Sequence, residues 1–284
     1  PEAAVSVSAA LRGDPGLSLG NGVGSIICDT ALVFGVGCLL VRLPLDRSVL
    51  RRHGVLYLSV GAMLTMVIFG QAVAGWDPKA AQVPQWMGFV FVTLLAAYMY
   101  LSVRWARQHP SILPDKAMVQ VSPAHRVRAA VWNLLAVVAG LGLVVFGADV
   151  LISSVTELSL RYGVPQDVLA VTVVALGTSL PELATAVASI IKGHPELLIG
   201  NVIGADILNV LFVIGVSAAV TPAGLAVPDT FIYLHLPVMM LALVLMGAYI
   251  FKSGRRFHRW QGIPLLCVYV VYYAVLVTLF GVRH

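Results

Sequence analysis

Eight stretches of this chain are apolar over lengths that a soluble fold does not use: about 19–41, 54–75, 86–104, 129–156, 164–191, 197–220, 230–251 and 262–282. At ~1.5 Å of rise per residue, each is long enough to cross the ~30 Å hydrocarbon core of a bilayer. A ninth apolar segment, 1–11, has the length of half a span. Composition agrees: 59% of the 284 residues are hydrophobic, 11% are charged, and mean hydropathy is +0.92. A soluble domain cannot hide that much apolar surface, whereas lipid does not require it to. Lipid leaves no partner for an open backbone, so the spans are helices; the short alternating strands of a membrane barrel are absent from the sequence. The fold class expected is all-α and polytopic.

The charges set an orientation. Net charge is +5, which in a soluble protein would suggest nucleic acid, but position decides against that. Fourteen of the 18 basic residues fall in alternate connections: Arg42, Arg47, Arg51 and Arg52; Arg104, Arg107, Lys116, Arg126 and Arg128; Lys192; and Lys252, Arg255, Arg256 and Arg259. By the positive-inside rule the loops 42–53, 105–128, 192–196 and 252–261 of a multi-pass membrane protein are cytoplasmic. All five Trp residues sit at predicted span ends, as an interfacial belt requires. Cys28, Cys38 and Cys267 lie within spans without CxxC spacing and read as core or lipid-facing packing.

The chain also repeats itself. Residues 1–37 align without a gap on 181–217, with 14 identities in the 37 positions. Two apolar helices share Leu and Val by composition alone, but here the shared positions include Pro1-Glu2/Pro181-Glu182, Gly13/Gly193, Pro15/Pro195, Gly20-Asn21/Gly200-Asn201, Gly24/Gly204 and Gly35/Gly215. An odd number of crossings separates the copies, so the second is inserted upside down, and an inverted repeat is a transporter signature with its site at the midplane. The expected organisation is a first half over 1–104, a cytoplasmic linker over 105–128 and an inverted second half over 129–284. The partner of residue 129 would lie about 50 residues before residue 1. One span and half of the next are therefore expected upstream of Pro1-Glu2, and residues 1–284 alone are expected to insert without exchanging ions.

The polar residues within the spans carry the chemistry. In Gly177-Thr178-Ser179-Leu180-Pro181-Glu182, Pro181 lacks the amide that would bond the Gly177 carbonyl, so the helix breaks or kinks there, beside Glu182. Asn209 lies 27 positions on; with the turn near 193–196, Glu182 is about 15 Å and Asn209 about 20 Å from the same end of the hairpin. Both reach the middle of the bilayer. The repeat places Glu2 and Asp29 at the same depth, with the hydroxyls of Ser25, Thr178 and Ser179 a turn away or less. A carboxylate costs several kcal/mol at that depth and marks a functional site by default. Oxygen-only ligands favour Ca²⁺ or alkali cations over zinc or copper. Asp206, one turn before Asn209, is either a further ligand or a partner for the broken backbone. Asp149 and Glu157, eight apart on one face, read as a pathway mouth or as interfacial residues. Thr30, Thr65, Asn133 and Ser217 read as helix–helix hydrogen bonds.

The GTSLPE run, followed by Lys192-Gly193, then Gly200-Asn201 and Gly204, resembles the α-repeats of the cation/Ca²⁺ exchanger superfamily, most closely the prokaryotic sodium/calcium exchangers. The resemblance implies ten spans in two sets of five, about eight and a half of them within this chain. It implies a Na⁺/Ca²⁺ antiporter working by alternating access, with Ca²⁺ and Na⁺ as substrates, the bilayer as surroundings and no cofactor. It also implies cation ligands at Glu2, Ser25, Asp29, Thr178, Ser179, Glu182 and Asn209. Where the family has Gly-Ser-Asn, this chain has Gly24-Ser25-Ile26 and Gly204-Ala205-Asp206, so Ala205 lacks a hydroxyl and Asp206 adds a carboxylate. Two alternatives stand beside this reading: a Ca²⁺/H⁺ antiporter on the same scaffold, and a non-transporting fragment. An intramembrane enzyme is disfavoured because all seven His residues read as lying in loops or at termini.

Overall fold

The computed structural model describes residues 1–44, 47–74, 81–108, 123–253 and 256–280. Among them the chain forms nine helices: α1 (Glu2–Leu11), α2 (Pro15–Leu40), α3 (Arg47–Ala74), α4 (Gln85–Gln108), α5 (Pro123–Tyr162), α6 (Gln166–Ile191), α7 (Glu196–Ala219), α8 (Phe231–Lys252) and α9 (Arg259–Phe280). Eight of these are long and apolar enough to cross a membrane, and α1 is the short ninth. The protein is an all-α, multi-pass integral membrane protein. The expected linker 105–128 falls largely on 109–122, outside the described residues, while 105–108 and 123–128 continue α4 and α5.

Burial sorts the helices. In α2 and α7, the second helices of the two repeat copies, 78% and 61% of the most apolar stretch is buried, against 11% in both α4 and α5. The repeats therefore cross at the centre, and the periphery presents Leu, Val and Phe to lipid. Small residues let the central helices meet. A Cβ on Gly24 would come within 2.6 Å of Val171 Cα, and one on Gly20 within 2.6 Å of Ala170 Cβ, so α2 and α6 touch backbone to backbone.

The repeat survives in three dimensions. Gly13 and Gly193 both adopt φ +80°, the left-handed conformation that ends a helix and favours glycine. Around them the bonds match: Asp14 N donates to Ala9 O at 2.9 Å, and His194 N to Ser189 O at 2.8 Å. The second helices match as well. Each widens into a π turn within one residue of the equivalent register, over Cys28–Val33 in α2 and Asn209–Ile214 in α7. The hairpin turn expected near 193–196 is thus in place.

Short ties close both ends of the bundle. β1 (Gln82–Val83) pairs antiparallel with β2 (Leu225–Ala226), joining the connections before α4 and α8. At the opposite end Phe257 N donates to Leu43 O at 2.8 Å.

Two expectations need correction. His235 is five residues into α8 and fully buried, and His53 lies in α3, so spans do carry histidines; the apolar boundary at 230 already encloses His235, whose ring is held by Tyr272 OH at 2.8 Å. Among the described residues, only Thr30 of the four makes the expected helix–helix hydrogen bond. Thr65 bonds back to Gly61 O in its own helix, Asn133 is exposed, and Ser217 Oγ is buried without a partner among the described residues.

Candidate functional site

A cavity of about 400 Å³ lies between the repeats. Glu2 opens α1 into it, Glu182 enters from the second half of α6, Asp29 from the π turn of α2 and Asn209 from that of α7. Local sequence explains each placement. Helix α6 departs from helical geometry at Ser179 (φ −84°, ψ 1°), two residues before Pro181, which occupies the first turn of the next segment. Glu182 follows in that same turn, where the positive end of the half-helix favours a carboxylate. Asp29 and Asn209 both lie within π turns, a local widening of the helix that is frequent at functional sites.

The three acids are electrostatic neighbours: Asp29 faces Glu182 and Glu2, and Glu182 faces Glu2. Among the described residues no Lys or Arg lines the cavity, and both Asp29 oxygens are buried without a hydrogen-bond partner, as is Glu182 Oε2. Unpaired buried anions are costly, and a bound cation removes the cost. The acids flank the space rather than enclose a point: among the described residues no three Asp, Glu, His or Cys side chains gather tightly enough to hold a metal ion by themselves.

The remaining candidates stand behind the cavity wall. Ser25 Oγ and Thr178 Oγ1 are 3.4 Å apart, across the α2–α6 contact. Thr178 Oγ1 donates to Asn21 Oδ1 at 3.1 Å, and Asn21 Nδ2 donates to Ser6 Oγ at 2.9 Å and to Glu2 O at 3.1 Å. Ser179 Oγ is buried and unpartnered among the described residues, next to Asp29. Sequence reasoning did not single out Asn21 as the hub of this network, although the Gly-Asn pair shared by the repeats carried the signal. Its counterpart Asn201 lines the cavity and donates to Thr185 Oγ1 at 3.3 Å.

Asp206 does not line the cavity. Its Oδ2 accepts from Thr30 Oγ1 at 2.5 Å, Thr30 also meets Tyr57 OH at 2.7 Å, and Asp206 Oδ1 is buried without a partner among the described residues. Asp206→Asn, whose amide oxygen can still accept from Thr30, should therefore keep both fold and exchange. Asp206→Ala should cost about 1–3 kcal/mol of stability, because buried hydroxyls lose their acceptor. Loss of exchange in a well-folded Asp206→Asn protein would assign Asp206 to the cation ligands. Asp149 pairs with Arg12, at the loop between α1 and α2, and both are exposed on the bundle surface.

On α2, Gly20 and Gly24 are covered by residues 170–175 of α6; on α7, a methyl group at Gly200 or Gly204 would meet nothing within 4 Å, and both glycines open to the cavity.

The family model described as sodium/calcium exchanger protein matches residues 1–104 and 132–278. The chain belongs to that family. Among curated relatives, the putative antiporter CaxA of Alkalimonas amylolytica is 29% identical over 283 residues, covering 97% of this chain and 83% of its own. The sodium/calcium exchanger MaX1 of Methanosarcina acetivorans is 25% identical over 298 residues, covering 97% and 84%. Of solved structures, the sodium-calcium exchanger NCX_Mj soaked with 10 mM Na⁺ and 10 mM Sr²⁺ aligns at TM-score 0.64 and 26% identity, over 96% of this chain and 81% of that one. The protein is a cation antiporter of the sodium/calcium exchanger family.

Proposed function

We propose that the protein exchanges Ca²⁺ for Na⁺ by alternating access of the two repeats around the acid-lined cavity. The observation that carries this reading is the meeting of Glu2, Asp29, Glu182 and Asn209 in one space, each at the start, break or π turn of a repeat helix. Hard oxygen donors suit Ca²⁺, and the bound ion neutralises charge that the bilayer interior otherwise penalises. When Ca²⁺ leaves, Na⁺ takes over that neutralisation, which couples the two movements. Asn209, and after rearrangement Ser25, Thr178 and Ser179, supply further oxygens around the acids. Residues 1–104 and 129–284 act as the two halves, with the basic connections on the cytoplasmic side of a prokaryotic cytoplasmic membrane.

The test is Ca²⁺ uptake by the full-length protein in proteoliposomes, driven by an outward Na⁺ gradient with the pH gradient collapsed. Na⁺-dependent uptake is expected. Uptake that follows an imposed pH gradient and ignores Na⁺ would assign H⁺ as the coupling ion, and no uptake under either gradient would overturn the reading.

A further inference from the structure

The connection between α8 and α9 contains a second cavity, of about 470 Å³, which ion exchange does not use. Both spans end there, so it lies at the level of the bilayer surface. Tyr249 and Lys252 wall it from the end of α8, and His258, Trp260 and Gln261 from the start of α9. Gln261 is buried and braces the connection: its Nε2 donates to Ser253 Oγ at 2.7 Å and its Oε1 accepts from His258 N at 2.7 Å. Trp260 meets Tyr249 edge to face at 5.9 Å yet stays 58% exposed, an interfacial anchor with an apolar flank.

The charge of this cavity is one-sided. Among the described residues no acidic side chain lines it, and no carboxylate pairs with the exposed Lys252. Arg259 beside it is engaged, its Nη2 donating to Leu40 O at 3.2 Å at the end of α2. A cation and an imidazole over an aromatic floor, at the surface of a bilayer, meet one abundant chemistry: a lipid phosphate. We propose that this cavity binds the headgroup of an anionic phospholipid, with Lys252 and His258 donating to the phosphate and Trp260 and Tyr249 against the glycerol and upper acyl chain. A bound headgroup would pin the α8–α9 connection to the membrane surface.

The experiment compares the full-length protein in vesicles of phosphatidylcholine with and without phosphatidylglycerol, reading retained lipid by native mass spectrometry and thermal stability in parallel. Retention of phosphatidylglycerol over phosphatidylcholine is expected, with a matching stabilisation. Lys252→Ala should weaken retention about fivefold, the effect of one surface cation. His258→Ala should weaken it further, Lys252→Arg should restore it, and Lys192→Ala, on the same side but away from the cavity, should leave it unchanged. Inorganic phosphate alone should neither stabilise the protein nor displace the lipid. Equal retention in Lys252→Ala and the parent, or full replacement of the lipid effect by inorganic phosphate, would overturn the proposal.

Discussion

Glu182→Gln should reduce Ca²⁺ exchange at least about thirtyfold, because it removes a charge that faces a buried ion without changing the shape of the side chain. Glu182 follows the Ser179 break and shares the cavity with Glu2 and Asp29, so its loss leaves two acids to balance a divalent ion. The fold should be unaffected or slightly stabilised, since the substitution relieves repulsion among three neighbouring carboxylates. Flux in proteoliposomes together with a thermal unfolding curve separates the two effects. Near-parental exchange would remove Glu182 from the site.

Gly24→Ala should act through packing instead. The new methyl would lie 2.6 Å from Val171 Cα and 2.7 Å from Ala175 Cβ. The first of these is backbone and cannot rotate away, so α2 and α6 must separate, at a cost of about 1–3 kcal/mol for an overpacked contact. The separation falls next to the Ser25–Thr178 contact, and Thr178 directly precedes the Ser179 break, so exchange should fall along with stability. Gly140→Ala on α5, with nothing within 4 Å, is the control and should be neutral. A Gly24→Ala protein as stable as the Gly140→Ala protein would contradict the close α2–α6 crossing.

The helices and their repetition were legible because lipid enforces them: hydropathy fixes span length, and Gly13/Gly193 with Gly20-Asn21/Gly200-Asn201 fix the register of the copies. The acids of the cavity were legible because a carboxylate at that depth has few other uses. What the sequence could not convey was the direction in which each polar side chain turns. The π turns at Cys28–Val33 and Asn209–Ile214, which no sequence pattern announces, hold Asp29 and Asn209 where both line the cavity. Asp206, one turn earlier, has the chemistry of a ligand, but Thr30 and Tyr57 stand on its side of α7. Ser25 and Thr178 carry the hydroxyls a ligand would need, yet they face each other and Asn21 across the helix crossing. His235 is inconspicuous within an apolar run because its partners, Tyr272 and Asp167, come from α9 and α6 and are distant in sequence.

The central claim is that the cation sits between the two repeats, among Glu2, Asp29 and Glu182. Anomalous diffraction from crystals of the full-length protein soaked in Sr²⁺, with and without excess Na⁺, locates the ion directly. A peak is expected in this cavity that Na⁺ displaces and that Glu182→Gln abolishes. A peak elsewhere in the bundle, or one in the cavity that persists in Glu182→Gln and ignores Na⁺, would contradict it.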